Sequence, residues 1–465
     1  MSIRLDKCVS FGMQKRNGCY VQTMPVLSIA QGQIPPVPMN GEFIYLGRTY
    51  SFDLKAESIK ATLQQKLTTL LNITSALRIK AQLKLKILSR YIHAQMLFDI
   101  KLYDLPLTWV EQNLDALSVR YMRTWLEMPV SACVSEVAVM PRKMGGLGIS
   151  SFKHLAQKMC LQKRHSVRAS ASEDVREIWK NTSTRHVATD QIIVAHDSAA
   201  AASKFLKSEQ QQLALDHVLG LQVQGALIKS VTDSIASKNI QAWAAALDSL
   251  PSHLFNFARK ALLQVLPTAA NLKRWNRVED PSCPLCACGQ SQTNKHVLSN
   301  CSNAAALRRY TVRHNDILSL LVSWLTSVKS ASQLLYADLS DTRVLPVCDL
   351  FIGCRPDLAI VDNNSIHILE LTVCHETNLI SSHDYKSNKY KNISSCGSSL
   401  AGNRKIVPHF IEISTLGFIS SCSDFTRAVN IDAMSAVLKH NIVKSAVKSS
   451  FDIYCKRNYD DPIAT

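Results

Sequence analysis

No apolar run in this sequence approaches the ~20 residues that a membrane span needs. The longest, Ile317–Leu325, falls far short of it, so no membrane partner is expected. A secretory leader is not read either: Arg4, Asp6 and Lys7 interrupt the start, and no apolar stretch follows them. Without those signals the 14 cysteines are expected to be reduced thiols, scattered apart from one cluster. No repeat of fixed period is present. Acids are in short supply: 36 Asp and Glu face 53 Lys and Arg, a formal net charge of +17. That surplus points to a polyanionic partner, nucleic acid first and an anionic membrane surface second. Hydrophobic residues make up 46% of the 465 positions, which excludes wholesale disorder and allows more than one core.

The opening stretches, DKCVSFGM, YVQTMPVLSIAQGQIPPVP and EFIYLGRTY, are short strand-like runs broken by Gly and Pro. From Leu54 to Lys101 the pattern turns helical, with Ile79, Leu83, Ile87 and Tyr91 repeating at i+4. Arg78, Lys80, Lys84, Lys86 and Arg90 decorate that helix, either as a solvated face or as one that tracks phosphates. A second helix covers about Leu107–Leu126. Gly145, Gly146 and Gly148 punctuate a loop, and SVRASASED at 166–174 reads as a linker. Residues 205–275 are helical, 345–438 mix strand and helix, and the closing KRNYDDPIAT is a polar tail.

The cysteine cluster, CPLCACGQSQTNKHVLSNC, offers Cys283, Cys286, His296 and Cys301 in the spacing C-x2-C-x9-H-x4-C. Two thiols in a tight turn, closed by a later His and Cys, suit a tetrahedral ion with no open position. The expectation is one structural Zn²⁺. Cys288 is a rival for the second ligand place.

The segment RPDLAIVDNNSIHILELTV poses a different problem. Leu358–Val361 and Ile366–Val373 are β-prone, and Asn363-Asn364 suits the positive φ of a tight hairpin turn. A hairpin centred there makes Asp357 and Glu370 direct cross-strand neighbours. Like charges so placed are destabilising unless something positive lies between them. Either Mg²⁺ resolves the conflict, or one acid points to solvent or pairs with Arg355. Downstream, HDYKSNKYKN reads as helix. It places Lys386, Lys389 and Tyr390 on one face, where Lys386 could aim back at the hairpin.

Arg-Pro-Asp followed by Glu-Leu-Thr resembles the PD-(D/E)XK signature of restriction-like endonucleases. With a CCHC knuckle upstream, the order resembles the C-terminal part of non-LTR retrotransposon polyproteins that carry such a nuclease. DKCVSFG and FIYLG resemble segments just after the polymerase's catalytic hairpin. Trp125-Leu126 with Pro129, and Lys143-Met144-Gly145-Gly146-Leu147-Gly148-Ile149, resemble thumb motifs. The resemblance implies a multidomain α+β chain. Its expected parts are a polymerase palm remnant at 1–53, a thumb-like helical domain at 54–150 and a helical linker at 151–275. A CCHC zinc knuckle at 276–316, a connecting helix at 317–344, a restriction-endonuclease-like α/β domain at 345–440 and a tail at 441–465 complete it. It implies a nuclear, Mg²⁺-dependent endonuclease that nicks target DNA and meets the element's RNA. Asp357 and Glu370 would hold Mg²⁺, Lys386 would be the catalytic lysine with Lys389 as rival, and Glu376 would be a further acid. Thr372 stands where the usual ExK lysine would be. Arg355 joins the basic residues above as a nucleic-acid contact. The polymerase's aspartate pair is not matched: Tyr459-Asp460-Asp461 has no strand-like flanks, and Pro462 would block a ladder. The chain is therefore expected to be a 5′-truncated form without polymerase activity. The alternative is a nucleic-acid-binding relic with no enzymatic role.

Overall fold

Six short strands form three separate antiparallel hairpins: β1 (Gly12–Arg16) with β2 (Cys19–Thr23), β3 (Leu27–Ile29) with β4 (Gly32–Ile34), and β5 (Glu42–Tyr45) with β6 (Arg48–Ser51). The first turn is Asn17-Gly18, both at positive φ, the conformation a two-residue hairpin loop requires. Aromatic rings link these hairpins to the helices, running Phe11–Phe43–Tyr50–Tyr103 with centroids 5.2, 5.8 and 6.0 Å apart. This computed structural model describes residues 4–45, 48–51, 57–103, 105–182, 186–286, 288–391, 393 and 400–459. Leu46 and Gly47 of FIYLG, the expected helix start at Leu54, and Asp460 and Asp461 of the tail lie outside the described residues.

Helices follow: α1 (Glu57–Ala76), α2 (Ala81–Ile87), α3 (His93–Leu102), α4 (Leu107–Val110), α5 (Ala116–Leu126), α6 (Val134–Val139), α7 (Phe152–Arg168), α8 (Glu173–Thr182) and α9 (Val187–Val194). Widened turns at Leu88–Ile92 and Glu111–Asp115 join α2 to α3 and α4 to α5. The start of α7 is well capped: Asp115 accepts from the Phe152 and Lys153 amides at 2.6 and 3.0 Å, and Ser151 Oγ accepts from His154. In the loop before α7, a Cβ on Gly146 would lie 2.2 Å from the Met140 carbonyl oxygen, so only glycine fits that approach. Next come α10 (Ala199–Gly220), α11 (Ala226–Thr232), α12 (Ile240–Ser249), α13 (Ser252–Leu262) and α14 (Ala269–Arg274).

Three expectations are corrected here. The helix expected over Leu54–Lys101 breaks between α1 and α2, so Arg78 lies in the turn and Lys80 is the residue that opens α2. Its buried stripe is Ala81, Leu85, Leu88 and Ile92, while Leu83 and Tyr91 are exposed. Third, most of the 441–465 stretch is no tail, because α18 (Ala436–Cys455) buries Ile442, Val443, Ala446, Val447 and Ile453. A good apolar stripe at helical spacing lay there, and the polar end of the chain masked it.

The C-terminal half carries a five-stranded mixed sheet in the order β11-β10-β9-β7-β8. The strands are β7 (Leu334–Ala337), β8 (Leu345–Pro346), β9 (Leu358–Val361), β10 (Ser365–Cys374) and β11 (Lys405–Ser414). The sheet thus begins before the expected boundary at 345. Long α15 (Ala304–Val328) precedes it, and α16 (Leu379–Lys389) crosses from β10 to parallel β11. The short α17 (Ser423–Ala428) leads to α18. β10 is flanked on both sides, by β11 and β9, which buries every residue from Ile366 to Leu371, His367 and Glu370 included. Leu358, Ile360, Leu369 and Leu371 join the helical core, which includes α15 and α18. Ala359, Val361, Ile366 and Ile368 form a second cluster with Tyr390.

Candidate metal centre and carboxylate site

A bridge between Ser282 and Ser291 closes a small loop, with Gly289 at φ +67 allowing the turn. The loop presents Cys283 and Cys286, while His296 and Cys301 come from the turn before α15. All four are buried, and one ligand atom from each lies within 4.8 Å of all the others, so the group could hold a metal ion. Cys288 is exposed and outside the group, although its sulfur is 2.8 Å from that of Cys286. His296 Nε2 lies 3.3 Å from Cys286 Sγ, and its Nδ1 is 3.3 Å from Gln290 Oε1. A proton on Nδ1, donated to Gln290, leaves the Nε2 lone pair for an ion. Burial and the neighbouring thiols push the Cys301 thiol up to about 12, a strain that a bound cation relieves by stabilising the thiolate. Tyr310 of α15 braces the site: its hydroxyl accepts from the Cys301 amide at 3.2 Å and donates to the Val297 carbonyl at 2.8 Å. Among the described residues the cysteines are free thiols.

The hairpin of β9 and β10 has the expected register, Val361↔Ile366 through Leu358↔Leu369. Asp357 is the next position, opposite Glu370. The Asp357 amide donates to Glu370 Oε2 at 3.2 Å, and Asp357 Oδ2 accepts from the Leu371 amide at 2.8 Å. Glu370 is buried at 3% exposure. Its Oε2 also accepts from the Tyr390 hydroxyl at 2.9 Å, and its Oε1 pairs with Lys386. Burial, then the charge of Glu370, pushes the Tyr390 phenol up, so it stays a donor. Lys389 is exposed, its Nζ 5.2 Å from the Tyr390 ring centre. Each carboxylate thus uses one oxygen on its own hairpin and turns the other toward a cation-bearing side chain.

For Asp357 that side chain is His314 of α15, whose Nε2 is 3.3 Å from Asp357 Oδ1. Burial opposes the imidazolium, but the hydrogen bond and charge of Asp357, aided by Asn315, hold His314 above its ordinary value. Sequence reading did not find His314, because it lies on a helix far upstream and no motif singles it out. It also missed His383 Nδ1, 2.9 Å from Glu412 Oε1, where α16 covers β11.

The other expected site residues go elsewhere. Glu376 is buried and accepts from Thr415 Oγ1 at 2.9 and 3.0 Å and from the Leu416 amide at 2.8 Å. It makes no hydrogen bond with Asp357, Glu370 or Lys386. Arg355 pairs with Asp338, its Nη2 2.6 Å from Oδ1, rather than with Asp357. Lys80 donates to the Ser249 carbonyl, Lys84 to that of Ser75, and Lys86 lies 3.9 Å from Asp248. Arg78 and Arg90 are exposed. A cavity of about 750 Å³ lies among the helices, lined by His93, Asp115 and Gln210, and includes none of the carboxylate-site residues.

Compared with models of protein families and with curated proteins, the chain matches none.

Proposed function

We propose that the chain is a divalent-metal-dependent endonuclease that nicks DNA, of the restriction-like type carried by non-LTR retrotransposons. The observation that supports this best is the hairpin register, which sets Asp357 beside buried Glu370 with Lys386 of the following helix on the same carboxylate. The order of α15, four sheet strands, α16 and parallel β11 suits a restriction-endonuclease-like unit. Hydrolysis joins a water oxygen to phosphorus and breaks the bond to O3′, leaving a 5′-phosphate and a 3′-hydroxyl. Asp357 Oδ1 and Glu370 Oε1 are hard oxygen donors and fit Mg²⁺. When bound, such an ion lowers the pKa of water and stabilises charge on the phosphate. Lys386 is placed to steady that charge, and Tyr390 and the Leu371 amide hold the two carboxylates in position. Zn²⁺ in the Cys3His group stabilises the knuckle. The exposed Arg78 and Arg90 grip nucleic acid, either target DNA or the element's RNA. Action on chromosomal DNA places the protein in the nucleus.

The second reading is a non-catalytic nucleic-acid-binding protein. It is favoured by the charge balance: Lys386 and His314 already neutralise the two acids, whose donor atoms do not form a three-residue cluster within 4.8 Å. Supercoiled plasmid incubated with the purified chain separates the two. Nicking should need Mg²⁺ or Mn²⁺, and Asp357→Ala or Glu370→Ala should each remove nearly all of it while DNA binding persists. No nicking by the unaltered chain leaves the second reading standing, and undiminished nicking by Asp357→Ala removes the paired carboxylates from the chemistry.

A further inference from the structure

His314 lies outside the acid and lysine set just described, yet it reaches that site directly. Its Nε2 is 3.3 Å from Asp357 Oδ1. Two donors each ~2.1 Å from one ion and at right angles to one another lie ~3 Å apart, so the observed gap is close to that of adjacent ligands. The far side of the ring fits the same role. Nδ1 lies 3.2 Å from Asn315 Oδ1, which accepts its proton, so a cation that displaces the Nε2 proton meets the Nε2 lone pair beside Asp357. Asp357 Oδ2 is occupied by the Leu371 amide, so Oδ1 is the oxygen left for an ion.

The ring is also well held and accessible. Tyr310, one helical turn before His314, is anchored to the backbone at Cys301 and Val297. His314 keeps 27% of its side chain exposed and lines a cleft of about 370 Å³ with Tyr310, Arg313, Asn315 and Asp338.

We propose that His314 is a nitrogen ligand to the divalent ion held by Asp357. The centre is then a mixed nitrogen and oxygen site that takes Mn²⁺ in preference to Mg²⁺. This rests on the reading of Asp357 as a metal ligand. Imidazole binds transition metals well and Mg²⁺ poorly, whereas a purely carboxylate site serves both ions. Without an ion, the same two side chains meet as the hydrogen-bonded pair seen here.

The test uses the full chain with its zinc site loaded. Mn²⁺ binding is followed by electron paramagnetic resonance, and Mg²⁺ binding by its competition with Mn²⁺. His314→Ala should weaken Mn²⁺ by ~10-fold or more and Mg²⁺ much less. His314→Gln keeps a hydrogen-bond donor near Asp357 but removes the imidazole, and should behave like His314→Ala. Spin-echo modulation of Mn²⁺ bound to the unaltered protein should show a directly bound ¹⁴N, which reads the ligand even where a variant folds poorly. Equal loss of both ions in His314→Ala, unaltered Mn²⁺ affinity, or no ¹⁴N coupling would overturn the assignment. A ¹⁴N-coupled Mn²⁺ on a chain that nicks no DNA would uphold the ligand and sink the nuclease reading instead.

Discussion

Glu370 and Glu376 are both buried on the same stretch of chain, yet their partners differ in kind. Glu370 faces Lys386 of α16 and Tyr390 at the end of that helix. Glu376 is tied to Thr415 and Leu416, with buried Arg313 close enough to sense its charge. The resemblance implied that Glu376 is a further site acid, whereas the loop that takes it up comes from the far end of β11. Glu376→Ala should therefore lower the unfolding free energy by ~3 kcal/mol, since the amide of Leu416 and the hydroxyl of Thr415 lose a charged acceptor. Urea denaturation checks this, and DNA affinity should stay as it was. A stable Glu376→Ala chain that loses nicking would return Glu376 to the chemistry. Histidines give a pH prediction at this scale. Burial depresses His93 and His409 to about 4, His409 with help from His367. Unfolded imidazoles titrate near ~6.5. The unfolded chain then binds more protons between those values, so stability falls as pH drops from ~6.5 towards 4. Asp115, raised to about 6 by burial, offsets part of this. The urea midpoint should be lower at pH 5 than at pH 7, and His93→Gln should shrink the difference.

Among the elements, the β9–β10 register was legible, but its turn is not the expected one: neither Asn363 nor Asn364 is at positive φ, and Asp362 Oδ1 instead accepts from the Asn364 and Ser365 amides at 3.2 and 2.9 Å. The phase of α2 was not legible. Gln82 looks like a surface residue, but it is buried at 2% and donates to the Leu247 and Leu250 carbonyls, partners invisible from local pattern. A buried amide nitrogen that donates to two carbonyls of another segment turns the helix away from the face its apolar spacing suggests. The metal-binding loop was legible in its ligand types, whereas the choice between Cys286 and Cys288 needed three dimensions. Purified protein should hold about one Zn²⁺ per chain. Cys283→Ser or His296→Ala should lose it, and Cys288→Ser should keep it, as read by a chromogenic chelator after denaturation. Retention by Cys286→Ser with loss by Cys288→Ser would reverse the ligand choice.

At the scale of the molecule, the surplus of 53 basic over 36 acidic residues predicts binding to nucleic acid by counterion release. For roughly six phosphate contacts, affinity should fall on the order of 10³-fold between ~50 and ~200 mM salt. Replacing Arg78 and Arg90 together should weaken binding and flatten that slope. Lys84→Ala should do little, because Lys84 is folded back onto Ser75. A flat salt response would mean that the charge serves another purpose. The long helix α15 adds a geometric consequence. It starts beside the cysteine cluster, where Asn303 donates to the Leu285 carbonyl, and His314 farther along it meets Asp357. At 1.5 Å per residue, ~16 Å of rigid rod separates Asn303 from His314. A helix of that kind works as a ruler. If the cluster and the carboxylates rest on one duplex, a nick made at the carboxylates would fall about five base pairs from the point the cluster touches, at ~3.4 Å per pair. Inserting one helical turn after Asn303 should then move the cut by one or two base pairs without altering its chemistry.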